Sequence, residues 1–234
     1  MKVVILAGGK GTRLAPYTTV FPKPLMPIGD VPILQLVIER MKKHGLSDIT
    51  LAVGYLSELI KAFFGDGSKY GVRISYSMEE KPLGTAGPLA LVKDIHNSPF
   101  LTMNGDILTS LDFSEFIKHH KNSGAAASIA VNRRTVDINY GVIETDTKGR
   151  LVKYVEKPQI NYQVSMGINI FEPEVLNYIP KGKKFDIPDL IAAIIAKGML
   201  VNCYPFNGYW LDIGRHDDYK KALEGFEKVK HEFQ

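Results

Sequence analysis

The first apolar run constrains the fold more than any other feature. Lys2 to Ala7 is a short continuous apolar stretch that stops at Gly8 and Gly9. A strand apolar on both faces must be covered on both faces, which is the situation of a strand inside a parallel sheet. The same scheme then repeats. Ile33 to Met41 has helical spacing, Ile49 to Val53 is a second apolar run, and Ser57 to Phe64 is helical and closed by Gly65 and Gly67. Val72 to Ser77 alternates as a strand, Ala86 to Ile95 reads as a helix, and Phe100 to Met103 as a strand. Asp112-Phe-Ser-Glu115 opens a helix to His120 as a capping box. The order βαβαβαβα predicts an α/β fold, with a mostly parallel sheet and helices on both faces.

The second half changes character. Ala126 to Asn132, Tyr140 to Glu144, Leu151 to Glu156 and Val164 to Phe171 are strand-like with few helices between them. A helix opened by Asp186 follows, then a strand through Cys203 and a helix from Asp217 to Lys230. With no repeat and no Pro/Gly/Ser linker, residues 1–234 read as a single domain. Its second half, about 123–234, adds a small mixed-sheet lobe beside the first, about 1–122.

Composition removes several classes. With 45% hydrophobic and 23% charged residues, the chain can bury a core and is not disordered as a whole. No apolar run approaches the roughly 18 residues of a membrane span, and the N-terminal run is too short for a signal-peptide core. Cys203 is the only cysteine, so neither an intrachain disulfide nor a thiolate metal cluster can form. That fits a reducing, cytoplasmic setting, with Cys203 expected as a packing residue. The net charge of +4 carries no long basic block, so nucleic acid is not an expected partner.

Chemistry concentrates in Leu6-Ala-Gly8-Gly9-Lys10-Gly11-Thr12-Arg13-Leu14. Three glycines let the backbone curve tightly and bring N–H groups to a ligand, phosphate above all, while Arg13 offers a planar fork of donors. The dinucleotide fingerprint G-x-G-x-x-G fails, because Leu14 stands where its last glycine belongs; the P-loop string is absent. Downstream, Pro22 and Pro24 stiffen the backbone around Lys23.

Together these segments resemble the sugar-1-phosphate nucleotidyltransferases, whose signature G-G-x-G-T-R-L-x-P-x-T-x-x-x-P-K-P stands complete from Gly8 to Pro24. Further matches are Glu80-Lys-Pro-Leu-Gly84-Thr-Ala-Gly87, Asn104-Gly-Asp106, Tyr140-Gly141-Val142, Glu156-Lys157-Pro158 and Trp210-Leu-Asp212-Ile-Gly214. The resemblance implies a Rossmann-like core that transfers a nucleoside monophosphate from an NTP to a sugar 1-phosphate and releases pyrophosphate. It implies nucleotide contacts at Leu6, Gly8, Gly9, Gly11, Thr12 and Gly84. Arg13 and Lys23 would stabilise the α-phosphate and the leaving pyrophosphate, and Asp106 and Asp212 would hold Mg2+. The sugar phosphate would meet Lys157, with Glu156 accepting from sugar hydroxyls and Gly141 leaving room for the ring. A common family string, N-A-G, is replaced by Ser165-Met166-Gly167, with Asn169 nearby as a sugar contact.

The base is read from Glu79. Uridine- and thymidine-using relatives tend to carry glutamine there, whereas a carboxylate accepts both N1–H and the 2-amino group of guanine. Glu79 therefore favours GTP, provided it reaches the base. The string Pro82 to Leu91 also resembles mannose-1-phosphate guanylyltransferases, which makes mannose or manno-heptose 1-phosphate the favoured acceptor. Many of those enzymes carry a C-terminal repeat domain that is not expected here; a homo-oligomer stays open. Two other readings stand beside this one: the same reaction with UTP, dTTP or CTP, and a catalytically silent nucleotide-sugar sensor.

Overall fold

Seven strands form the central sheet of the computed structural model, which describes residues 1–233 and side chains as far as Phe226. In chain order the elements are β1 (Lys2–Ala7), β2 (Pro27–Ile28), β3 (Val31–Pro32), α1 (Ile33–Lys43), β4 (Asp48–Val53), α2 (Ser57–Phe64), β5 (Arg73–Met78), β6 (Phe100–Asn104) and β7 (Ile107–Thr109). Then come α3 (Phe113–Ser123), β8 (Ala127–Asp137), β9 (Val142–Thr145), β10 (Leu151–Val155), β11 (Gln159–Phe171), α4 (Ile187–Ala196), β12 (Val201–Phe206), β13 (Trp210–Asp212) and α5 (His216–Phe233). The sheet order is β12-β8-β11-β6-β1-β4-β5, and only β11 runs against its neighbours.

β1 lies between β4 and β6, so its apolar run is buried on both faces. One face carries α1, through Leu34, Val37, Ile38 and Met41, and α3, through Phe113 and Phe116. The other carries α4, through Leu190 and Ile194, and the segment from Ala86 to Ile95. That segment is not the α-helix expected from its spacing. It forms two short 3-10 turns, Gly87–Leu91 and Lys93–Ile95, separated by Val92 in an extended conformation (φ −82°, ψ 120°). Pro88 has no N–H to give a helix, and the Ala86 and Gly87 amides go to the Phe185 carbonyl.

The second half does not build a separate main sheet; β8, β11 and β12 join the first half's strands. β8 and β11 are longer than expected, and their pairing from Arg133↔Gln163 to Asp137↔Gln159 runs outward past the core. Together with the β9–β10 hairpin this overhang is the lobe. Asp112 caps α3 by accepting from the Ser114 and Glu115 amides. Cys203 corrects its expectation. It sits in β12, but on an edge strand and exposed. Val201, on the same face, packs in the cluster with α4, and Cys203 lies beyond that cover. Among the described residues no helix is long and apolar enough to cross a membrane.

Candidate active site

The first strand ends at a cavity of about 830 Å³. Its walls are the glycine loop from Gly8 to Arg13, Lys23, Gly54, Tyr55, Glu79 to Pro82, Gly84, Thr85, and Asn104 to Asp106. Leu6, Gly8, Gly9, Gly11, Thr12, Arg13, Lys23, Glu79, Gly84 and Asp106, all singled out in the sequence, line this one cavity.

The glycine loop is held from beneath. Gly11 takes φ 63°, Leu14 is fully buried, and Thr18 Oγ1 donates to the Gly11 carbonyl at 2.8 Å. Tyr55 spans the loop, its N–H donating to Gly8 O at 3.2 Å and its hydroxyl to Thr19 O at 2.7 Å. A Cβ on Gly8 would lie 2.5 Å from Glu79 Oε1 and 3.3 Å from Gly54 N, so any side chain there would displace the Glu79 carboxylate. A Cβ on Gly9 would meet nothing within 4 Å. The protein does not need glycine there; a ligand backed closely onto the loop would.

Two unforeseen short strands solve the carboxylate problem. β7 and β13 pair antiparallel, with Asp212 opposite Ile107, and the Ile213 N–H donates to Asp106 O at 3.0 Å. Asp106 and Asp212 are thereby brought side by side across 106 positions. Lys23, only 8% exposed between its prolines, places its ammonium on Asp106 Oδ2. Asp106 Oδ1 is buried without a hydrogen-bond partner. Burial, and then the Asp106 charge, raise the Asp212 carboxyl above its ordinary value, against the pull of Lys23 and Arg13. A Cβ on Gly214 would lie 3.5 Å from both Arg13 guanidinium Nη atoms and from Asp212 Oδ1, which places these groups together.

Among the described residues no group of three or more His, Cys, Asp or Glu could hold a metal. Two carboxylates with one orphaned oxygen fit Mg2+, which takes few protein ligands and completes its shell with phosphate and water.

The sugar-side residues divide. Gly141 and Glu156 meet: a Cβ on Gly141 would lie 3.0 Å from Glu156 Oε2, and Tyr154 donates to that same oxygen at 3.0 Å. Lys157 donates its N–H to Tyr140 O at 3.2 Å and takes φ 45°. A left-handed non-glycine residue ahead of proline is strained, and such strain concentrates at working sites. These three residues lie in the lobe, outside the cavity lining. Asn169 does not join them, which corrects the expectation: it is 3% exposed, within β11 opposite Thr102, with its Oδ1 unpartnered. An interior strand between β6 and β8 points that side chain into the packed face, away from solvent.

Sequence reasoning missed Lys10, Tyr55, Lys81 and Asn104 as cavity residues. Lys10 stood inside the glycine signature and Asn104 two residues before Asp106, and neither had been assigned a contact.

Residues 2–229 match the family model described as "Nucleotidyl transferase". A UTP–glucose-1-phosphate uridylyltransferase of Synechocystis is 35% identical over 96% of this chain and 63% of its own length. The mannose-1-phosphate guanylyltransferase catalytic subunit beta of Dictyostelium discoideum is 36% identical over 95% of this chain and 64% of its own. The chain thus spans less than two thirds of these curated relatives. Among solved structures, HddC from Yersinia pseudotuberculosis superposes with a TM-score of 0.76 at 28% identity, covering 96% of this chain and 99% of that one. It has also been solved in complex with GMP-PN. By its matched length and by the glycine loop at the head of its sheet, the chain belongs to the nucleotidyl transferase family.

Proposed function

We propose that the chain joins an NTP, with GTP favoured, to a sugar 1-phosphate of mannose or manno-heptose type, forming a nucleotide sugar and pyrophosphate. The observation that carries this reading is the convergence of Arg13, Lys23 and Asp106 in one glycine-walled cavity, with Asp212 set against them just behind its lining.

In the reaction a phosphate oxygen of the sugar phosphate bonds to the α-phosphorus. The bond from that phosphorus to the β-phosphate's bridging oxygen breaks, and its electron pair leaves with pyrophosphate. Both reactants are anions, so charge and alignment dominate the barrier. Arg13 and Lys23 supply fixed positive charge where the leaving oxygen becomes negative. The glycine loop's N–H groups orient the phosphate chain. Lys157, with its backbone fixed against Tyr140, aims an ammonium at the sugar's phosphate, and Glu156 accepts from sugar hydroxyls. Asp106 and Asp212 would hold Mg2+, which when bound offsets phosphate charge and aligns the reacting groups.

GTP rests on Glu79. Its Oε2 already accepts the Leu83 N–H at 3.0 Å, and its Oε1 lies against Gly8 and Gly54. A carboxylate oxygen accepts more than one hydrogen bond, so Glu79 keeps capacity for a guanine edge at the cavity wall. That same commitment to Leu83 supports the second reading, in which Glu79 braces the loop and the base is uracil or thymine. The named relatives include both a guanylyl- and a uridylyltransferase. A grid of four NTPs against several sugar 1-phosphates, read by pyrophosphate release with Mg2+, tests the proposal. GTP with a manno-configured phosphate should give the highest kcat/KM. A UTP or dTTP preference would hand the site to the second reading, and no release from any pair would make the chain a sensor.

A further inference from the structure

The stretch from Leu83 to Gly87 has its amides almost wholly committed. The Leu83 N–H donates to Glu79 Oε2 at 3.0 Å and the Thr85 N–H to Asp186 Oδ1 at 2.9 Å. The Ala86 and Gly87 amides donate to the Phe185 carbonyl at 2.9 and 3.0 Å. Gly84 alone in this stretch has no acceptor for its N–H among the described residues, and Gly84 lines the cavity.

A segment from the other half of the chain does the holding. Thr85 Oγ1 donates to Asp186 Oδ1 at 3.2 Å and accepts from the Ile187 N–H at 2.8 Å. The Phe185 N–H donates back to Leu83 O at 2.9 Å. Gly84 takes φ 81°, and a Cβ there would lie 2.6 Å from both Asp186 Oδ1 and the Phe185 carbonyl. So Gly84 is pressed against the Phe185 backbone and the Asp186 carboxylate on one side and lines the cavity on the other. Asp186 does not line the cavity. It also caps α4 in a capping box with Asp189, whose carboxylate accepts the Asp186 N–H at 3.1 Å.

We infer that Asp186 is the positioning residue for nucleotide-base recognition: it clamps Thr85 from 101 positions away and so fixes the Gly84 N–H, the one uncommitted amide of the 83–87 stretch, at the cavity wall. The inference deepens the proposed function and rests on the nucleotide occupying this cavity. Hydrogen bonds to a charged acceptor are among the stronger ones, and two of them converge on one oxygen here. Without that clamp, a bound base must order the loop itself, and the cost appears as weaker nucleotide binding.

Steady-state kinetics with the NTP that wild type prefers, alongside equilibrium binding of a fluorescent analogue of it, test this. Asp186→Ala should raise nucleotide KM about tenfold and shrink discrimination between purine and pyrimidine NTPs, while the sugar-phosphate KM stays put. Asp186→Asn keeps an oxygen acceptor and should restore most of the loss. Thr85→Val keeps the Asp186–Asp189 capping box, though it removes the acceptor of the Ile187 N–H, and should shift nucleotide KM in the same direction. Asp189→Ala, which breaks only the capping box, should lower Tm without moving nucleotide KM. Unchanged KM and selectivity in both Asp186→Ala and Thr85→Val would overturn this inference alone, as would Asp189→Ala reproducing the Asp186→Ala effect. Wild type that binds no nucleotide would overturn both the inference and the reading beneath it.

Discussion

Lys23 Nζ rests on Asp106 Oδ2 across 83 positions of sequence, and Asp106 Oδ1 on the same carboxylate is buried without a hydrogen-bond partner. A buried acceptor left unmatched is costly unless something else satisfies it. Here the chemistry of the site supplies the candidate, a divalent cation shared with Asp212. Asp106→Asn should cut turnover by about a hundredfold or more while the circular dichroism spectrum stays native. Calorimetric Mn2+ binding in the presence of NTP should weaken in parallel. Full activity in that variant would remove Asp106 from the metal pair.

Asp212 makes a separate prediction about stability. Its carboxyl is raised above the ordinary 3.8, first by burial and then by Asp106. A raised acid holds its proton more tightly folded than unfolded. The protonated form therefore favours the fold, and that contribution is lost as pH rises through the folded value. In metal-free protein, Asp212→Asn should raise Tm at neutral pH and abolish most activity. Added Mg2+ and nucleotide should raise the Tm of wild type by more than that of the variant, which keeps its nucleotide contacts and loses a metal ligand. A variant less stable than wild type at neutral pH would contradict the charge argument.

Gly8 and Gly9 are neighbours with opposite predictions. Gly8 is boxed in by Glu79 and Gly54, whereas a Cβ on Gly9 would enter open space. Gly9→Ala should leave Tm within about 1 °C of wild type, since it touches no protein atom. Nucleotide KM should nonetheless rise severalfold, because the methyl occupies the ligand's side of the loop. Gly8→Ala should lower Tm and raise nucleotide KM, because its methyl displaces the Glu79 carboxylate. Equal, wild-type kinetics in Gly9→Ala would mean that phosphate does not approach the loop there.

These contrasts mark where the sequence was legible. Continuous apolar runs such as Val3 to Ala7 declared the parallel core, because burial on both faces leaves a one-line signature. The glycine loop was legible for a similar reason: its constraint is local. What stayed hidden depended on contacts made far along the chain. β7 and β13 are three residues each, too short for any periodicity, yet their pairing is what joins Asp106 to Asp212. The segment from Ala86 to Ile95 has helical spacing, but its first amides are claimed by Phe185 and its helix never forms. Asn169 was carried over by its nearness in sequence to Gly167, whereas strand alternation and an interior position sent it into the core.

His120 predicts the opposite pH slope from Asp212. It is 2% exposed, with Nδ1 2.8 Å from Ser128 Oγ and Nε2 3.3 Å from Glu172 Oε1 without hydrogen-bond geometry. Burial lowers its pKa below the ordinary 6.5; Glu172 opposes that and His119 adds to it. The unfolded chain then takes up the proton first as pH falls. Stability from the neutral ring is present above 6.5 and is lost progressively below it. Tm should fall between about pH 7.5 and about pH 5, and His120→Gln should flatten that slope. An unchanged slope in the variant would assign the pH sensitivity elsewhere.

Gly141 ties the lobe's backbone to its carboxylate, and that tie is testable on one substrate alone. A Cβ there would overlap the Tyr154 hydroxyl and lie 3.0 Å from Glu156 Oε2, so Gly141→Ala must displace the Tyr154–Glu156 hydrogen bond. Both groups lie in the lobe rather than along the glycine-walled cavity. If sugar hydroxyls are read by Glu156, the sugar-phosphate KM should rise about tenfold while the NTP KM holds. Lys157→Ala should act on the same constant through the lost ammonium, and the double variant should fall short of the product of the two effects, since both disturb one cluster. A rise in NTP KM instead, in either variant, would place the nucleotide rather than the sugar against the lobe.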